Sequence, residues 1–285
     1  MAGVKLHEKI ISLTDTNGTD QDHLPVHHIS ASNRIDDRTS FLLQSDSLHH
    51  AANNPANGAF QAFRSVFHSV QKVDTKKLVV GVPCNTFHAP LIWSNFTGQI
   101  HAFLEGEKGL EVCIVNMIDA TVDHIAANAT AGGLGLDRRL RVGLMSTEGT
   151  RNTRVYHSKF GDKNMDVVCI PGSLQDDLTR AIYDKSFGIK AKSSPVSKTA
   201  VDICKQCADW LVQTGGADVV VLGCTELPLA LPSGVYTEAP VLPAVGEKGL
   251  GLLPKRRRVM LVDPVEILAQ RFVLHSGKKV VSTSA

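Results

Sequence analysis

No apolar run in this chain reaches the ~20 residues that a membrane span needs, and its opening residues, MAGVKLHEKI, lack the hydrophobic core of a secretory signal. Those absences predict a cytoplasmic protein with no membrane partner. Surplus charge is missing as well. A formal net charge of +2 is too small to argue for a nucleic-acid partner, which needs basic residues gathered on one face. The obvious basic cluster, Lys255 to Arg258, has no interleaved aromatic residues and reads as a solvated loop. Metal-ligand spacing is lacking too: twelve histidines, including the pairs at 27/28 and 49/50, have no acidic or cysteine partners at ligand spacing and read as surface residues. Low-complexity sequence is absent apart from a polar tail after His275, which is expected to fray.

What is present suits an ordinary globular protein. The 285 residues suffice for one large domain or two moderate ones, and 43% apolar with 20% charged residues leaves no reason to expect disorder. Short β-branched runs alternate with longer helical patterns, which predicts an α/β fold with mostly parallel sheets flanked by helices. The expected strands are Leu78 to Pro83, Glu111 to Asn116, Arg141 to Ser146, Asp166 to Pro171 and Asp218 to Gly223. Long helices are expected from Asn57 to Lys72 and from Ser197 to Thr214, the second stopped by Gly215 and Gly216, and a last one from Asp263 to Val273.

An internal echo organises the chain. A helix followed by KKLVVGVPCNT is repeated much later as a helix followed by GADVVVLGCTE. The echo implies two similar halves with Cys84 and Cys224 at the carboxyl ends of corresponding strands, where open α/β sheets bind ligands. The boundary between halves is expected near Asn116 to Asp119. The division is then 1–117 plus 262–285 for the first domain and 118–261 for the second.

Six cysteines in a reducing compartment are not a disulfide framework and are judged singly. Cys113 and Cys169 lie inside apolar runs and read as core. Cys204 and Cys207 form a CxxC within a helical pattern, with no second ligand pair at zinc spacing. One cysteine at a strand end is more often packing than catalysis, but a matched pair has a specific use. Removing the α-hydrogen of an amino acid and returning it on the opposite face needs one base and one acid on opposite sides of a planar intermediate. A thiolate and a thiol supply both. The carbanion then needs donors aimed at the substrate carboxylate, and Asn85, Thr86 and Thr225 follow the two cysteines at expected helix starts. A third strand end, Ser146 to Thr150, offers two threonine hydroxyls and a glycine. A dicarboxylic substrate needs a further cation. Arg38, flanked by acids, reads as a salt-bridged turn residue or as that cation, and Lys159 as a solvated helix residue or as the same.

These pieces resemble the cofactor-independent aspartate/glutamate racemase superfamily, and within it the aspartate racemases. The matching stretches are DQDHLPVHHISASNRIDDRTS (20–40), VPCNTFH (82–88), VGLMSTEGTRNTRVYHSKF (142–160), VLGCTELPL (221–229) and VDPVEILAQ (262–270), in family order. The resemblance implies two pseudo-symmetric α/β domains with the active site in the interdomain cleft, a homodimer, an amino-acid substrate, and no pyridoxal phosphate or metal. It implies that Cys84 and Cys224 are the catalytic thiols and that Asn85, Thr86, Thr147, Thr150 and Thr225 hold the substrate's amino and α-carboxylate groups. Arg38 and Lys159 then match the basic residues for the side-chain carboxylate, a role that suits the planar fork of arginine.

The chain departs from the pattern twice. Members open with a strand and a Gly-Gly-Met loop, whereas this chain starts within what matches the following helix, so a central strand of the first domain is expected to be absent. The segment Leu231 to Arg258 is longer and richer in Pro and Gly than the usual link and is expected to be a surface excursion. The functional expectation is interconversion of L- and D-aspartate, or glutamate, by a two-base mechanism. The alternatives are an inactive amino-acid-binding relative, or a hydantoin racemase, maleate isomerase or decarboxylase of the same superfamily.

Overall fold

A computed structural model describes residues 1–44, 51–71, 75–131, 138–238 and 257–281. Two sheets organise them. In the first, β1 (Lys77–Val80) and β2 (Glu111–Ile114) run parallel, with Lys77 opposite Glu111 and Val80 opposite Ile114. The second has the order β4-β3-β5-β7-β6, built from β3 (Leu140–Ser146), β4 (Met165–Cys169), β5 (Val219–Gly223), β6 (Gly234–Thr237) and β7 (Arg258–Val262). Every pairing in it is parallel except β6 with β7. The expected α/β architecture is therefore present.

The helices are α1 (Ala2–Leu13), α2 (Arg38–Leu43), α3 (Pro55–Val70), α4 (Pro90–Leu104), α5 (Met117–Ala131), α6 (Glu148–Asn152), α7 (Val155–Asp162), α8 (Gly172–Tyr183), α9 (Lys198–Gln213) and α10 (Pro264–His275). Their starts are written in the sequence. The Asn54 side chain accepts from the Ala56 N–H ahead of Pro55, the Ser197 hydroxyl accepts from Ala200, and Asp263 accepts from Val265 ahead of Pro264. The α9 helix stops at the glycine pair as expected: the Gly215 N–H turns back to the Trp210 carbonyl, and Gly216 takes a positive φ of 62°.

Buried side chains gather in three clusters among the described residues. Beneath the first sheet, α3, α4 and the turn that precedes α4 pack Phe63, Phe67, Phe87 and Phe96 with Ile92 and Ile100, and Phe67 meets Phe103 edge to face at 5.1 Å. A second cluster fills the space between α8, α9 and the second sheet. The third joins α1, α5, α7 and α10 to residues of β3, β5 and β7. The last helix thus lies against α1 and α5, and its Leu268 and Phe272 close over Gly81.

Five expectations need correction. The β1 ladder stops at Val80, not Pro83, because β2 ends at Ile114 and offers no further partner, and Pro83 has no N–H to give. The excursion after Leu231 contains β6, and the basic cluster leads into β7; the alternating exposed and buried residues of RVMLV were the available signal. Residues 239–256, including Lys255 and Arg256, lie outside the described residues. Arg257 is no solvated loop residue: its guanidinium donates to the Val212 and Ala217 carbonyls at 2.8 and 3.1 Å. The start of the tail after His275 is tied down rather than frayed, with Asp15 N–H bonded to the Lys279 carbonyl and Val281 N–H to that of Leu13. Cys113 and Cys169 are only part-buried, because the outer strands that carry them are covered incompletely.

Candidate active site

From Val80 the chain continues to Cys84, whose extended backbone (φ −152°, ψ 111°) caps a single 3-10 turn, Asn85–His88. Two side chains lock this turn. Phe87 packs into the aromatic core, 5.3 Å from Phe96 in an edge-to-face contact worth about 0.5–1.5 kcal/mol beyond its burial. His88 is buried and bonded at both nitrogens: Nδ1–H donates to the Cys84 carbonyl at 2.9 Å, and Nε2 accepts the Met117 N–H at 3.2 Å. That pairing requires a neutral ring, and burial pushes the His88 pKa down to about 4. Sequence reasoning placed the histidines on the surface and missed this one. Its signal was its position in the otherwise apolar FHAPLIW, directly after the cysteine.

Asn85 is 3% exposed. Its Oδ1 accepts the Tyr156 hydroxyl at 2.6 Å, while its Nδ2 is buried without an acceptor. Burial and the nearby Asp263 carboxylate raise the Tyr156 pKa, which keeps that hydroxyl a donor. Thr86, one residue on, joins a buried cluster of hydroxyls. Its Oγ1 lies 2.9 Å from that of Thr150 and 3.3 Å from that of Thr147, while Thr147 caps α6 by accepting the Thr150 N–H. The glycine of STEGT is required by close approach: a Cβ on Gly149 would stand 2.8 Å from Thr39 Oγ1 and 3.1 Å from Thr86 Cγ2. Three segments far apart in sequence, α2, the turn after Cys84 and α6, therefore pack directly on one another. The α2 helix, capped by the Asp37 side chain, carries Arg38 to the Cys84 sulfur. Burial alone would lower the Arg38 pKa, but interaction with Cys84 and with Asp37 outweighs it and raises the value.

The second cysteine ends β5. The preceding Gly223 permits tight packing, since a Cβ there would meet Leu144 Cδ1 at 2.8 Å and the Met145 carbonyl at 2.9 Å. Cys224 is 6% exposed, and its thiol donates to Glu226 Oε2 at 3.0 Å. The Thr225 hydroxyl donates to the same oxygen at 3.1 Å, and the Lys190 ammonium holds the other oxygen at 3.1 Å. Burial pushes the Cys224 thiol well above its ordinary pKa, and the Glu226 carboxylate adds to the effect against the opposing Lys190 charge. Glu226 itself would be raised by burial, but Lys190 and the hydrogen bond from Cys224 hold it below the usual carboxylate value.

Charged groups link the two cysteine environments. Tyr183, at the end of α8, is pushed up mainly by burial, lies within electrostatic reach of Cys224, Lys190 and Asp37, and is hydrogen-bonded to Thr39, next to Arg38. Lys190 lies 5.2 Å from the Tyr183 ring centroid, and its charge reaches Asp37. The structure thus brings Arg38, Cys84 and the Thr86/Thr147/Thr150 cluster toward the neighbourhood of Cys224, Thr225 and Glu226. It places Lys159 otherwise: that ammonium sits on Asp119, 2.8 Å away, where α7 crosses α5. The cation beside Cys224 is Lys190, which sequence reasoning did not single out. No motif marks Lys190, because it reaches the site from the loop between α8 and α9. Cys204 and Cys207 are fully buried in the α8/α9 core, which raises both thiols to about 12.

A pair of thiols in opposite electrostatic settings, beside hydroxyl and amide donors and two fixed cations, is equipped to move a proton on and off a small anionic carbon acid. The comparisons with known proteins agree in kind. The sequence model of the Asp/Glu/hydantoin racemase family matches residues 26–271. The Picrophilus torridus aspartate racemase has a similar fold, with a TM-score of 0.62 at 21% identity over 98% of this chain and 91% of that one. An uncharacterized protein in the pnlA 3' region of Pectobacterium carotovorum subsp. carotovorum is 30% identical over 125 residues, which are 44% of this chain and 71% of that protein.

Proposed function

Because the chain belongs to the Asp/Glu/hydantoin racemase family, we propose that it interconverts L- and D-aspartate, with glutamate as the alternative acidic substrate, by a cofactor-independent two-base mechanism. The observation that carries the reading is the contrast between the two thiols: Cys84 faces a guanidinium, whereas Cys224 donates its proton to a carboxylate. One sulfur is set up to take a proton and the other to give one. Cys84 as thiolate removes the α-hydrogen, and Cys224 as thiol returns a proton to the opposite face; the reverse reaction exchanges the roles.

The Asn85 Nδ2 donor and the hydroxyl cluster of Thr86, Thr147 and Thr150 hold the substrate's α-carboxylate and amino groups, with Thr225 on the Cys224 side. As charge develops on the carbanion, the buried, unpartnered Asn85 Nδ2 is a ready donor to stabilise it. Arg38 and Lys190 take the side-chain carboxylate. Lys159 is held by Asp119 as Lys190 is by Glu226, but only Lys190 lies beside Cys224. A second cation for a second carboxylate favours aspartate or glutamate over hydantoins, which lack one.

A non-catalytic, amino-acid-binding role is favoured by one observation: the first sheet has two strands among the described residues, and Leu78, Val79 and Val80 are only part-buried. The two readings separate in one experiment, circular dichroism of L-aspartate with purified protein at neutral pH and no added cofactor, alongside Cys84→Ser. Decay of the signal that the variant abolishes supports two-base racemisation. A flat signal for both aspartate and glutamate, with aspartate still raising the melting temperature, leaves the binding role.

A further inference from the structure

Two cysteines that exchange roles in a reversible reaction need not be equivalent at rest, and here their surroundings differ in sign. Cys224 Sγ lies 3.0 Å from Glu226 Oε2, an oxygen that also receives the Thr225 hydroxyl, and the opposite oxygen is held by Lys190 at 3.1 Å. The carboxylate is therefore fixed from both ends and presents an acceptor to the sulfur. We propose that Glu226 is the positioning residue of Cys224: it keeps the proton on that sulfur in the resting protein, so that Cys224 enters the cycle as the acid and Cys84 as the base. Its mechanistic consequence rests on the racemase reading; its protonation claim does not.

The groups around Cys224 point to this state together. Glu226 faces it from the turn after β5, and Lys190 and Tyr183 face it from the end of α8 and the loop beyond. Asp37, the cap of α2, and Arg38, its first residue, lie across, with Arg38 against Cys84. A thiolate at Cys224 would stand against a carboxylate at hydrogen-bond distance, with Lys190 already engaged by that carboxylate. A thiolate at Cys84 has a guanidinium beside it. Burial of Cys224 adds to the asymmetry, since a buried sulfur resists becoming an anion.

In the first half-cycle from rest, the substrate Cα–H bond breaks with its electron pair left on the substrate, and the proton forms an S–H bond at Cys84. The Cys224 S–H bond then breaks and its proton forms the new Cα–H bond on the opposite face. No electrons are gained or lost. What remains is Cys84 as thiol and Cys224 as thiolate facing Glu226, the less stable of the two free forms. The resting protein thus accepts first the enantiomer whose α-hydrogen faces Cys84.

The test is iodoacetamide alkylation of the full-length protein without substrate, followed cysteine by cysteine with peptide mass spectrometry across a pH series. In the wild type, Cys84 should react at lower pH than Cys224. In Glu226→Gln the Cys224 midpoint should fall by about one pH unit or more, the effect of removing a like charge at this range, while Cys84 stays put. In Lys190→Met, which removes the compensating cation, the Cys224 midpoint should rise. A Cys224 profile that does not move in Glu226→Gln, or that coincides with Cys84 in the wild type, overturns the proposal. Should Glu226→Gln fail to fold by far-UV circular dichroism, Lys190→Met decides: an upward shift supports the proposal, and no shift or a downward one overturns it. Alkylation needs no turnover, so asymmetric thiols in a protein that racemises nothing would remove the racemase reading and leave this inference standing.

Discussion

Replacing His88 by glutamine should weaken the protein's sensitivity to acid, by an amount that follows from the buried ring. In the folded state His88 is bonded as a neutral ring between the Cys84 carbonyl and the Met117 N–H, and burial holds its pKa at about 4 against an ordinary 6.5. A histidine depressed in this way binds its proton in the unfolded chain before it does so in the native one. Between pH 6.5 and about 4 the unfolded state therefore holds more protons, and stability falls as pH falls. The full gap is about 2.5 pH units at about 1.4 kcal/mol each, or about 3.5 kcal/mol, of which about 2 kcal/mol is lost between about pH 7.5 and about pH 5. Urea denaturation of both proteins at those two pH values measures it. Asp263, Glu266 and the other carboxylates titrate in both proteins, so the quantity of interest is the difference between the two pH slopes. Glutamine can still donate to Cys84 and accept from Met117 but takes up no proton, so the wild type should lose about 2 kcal/mol more than His88→Gln over this interval. Equal losses would refute the assignment of a neutral, doubly bonded ring.

Three further substitutions probe the site and its surroundings. Tyr156→Phe deletes the 2.6 Å hydrogen bond to Asn85 Oδ1 and leaves a buried amide with both ends unpaired. It should lower stability by about 1–3 kcal/mol in urea denaturation and raise KM more than it lowers kcat, because the amide is no longer held toward the substrate. Lys190→Met and Lys159→Met should separate cleanly in steady-state assays with aspartate: the first raises KM at least about tenfold by removing a cation from the site. The second changes kinetics less than twofold and stability by about 0–1 kcal/mol, as an exposed ion pair would. A large kinetic effect at Lys159 with none at Lys190 would reverse the assignment of the two lysines.

Much of the candidate site's local structure was legible in the sequence because its signals are local. A cysteine at the end of an apolar run, with Asn-Thr or Thr-Glu next, stands beyond the sheet, and repetition of that pattern turns an ambiguous thiol into a candidate pair. The STEGT turn likewise announces a capped helix start, and the structure supplies the reason for its glycine in the approach of Thr39 and Thr86. The helices α9 and α10 were read to start at their caps, Ser197 and Asp263, whereas α3 was expected from Asn57 and starts earlier, at Pro55 behind the Asn54 cap. The edge of the second sheet was not, because β6 and β7 are short and lie in a segment rich in Pro and Gly, where pattern favours loop over strand.

By itself, then, the sequence determined which elements form and which reactive groups stand at their ends, since caps, periodicity and turn residues act over a few positions. Only the tertiary structure decided what each group faces. It set Arg38 beside Cys84, and it took Lys159 to Asp119 while bringing Lys190 to Cys224 from a loop with no motif. It also buried His88 between two backbone groups. The protonation state of a thiol depends on burial and on charges a few ångströms away, and those neighbours come from segments separated by tens of residues. Chemistry at this site is a property of that convergence.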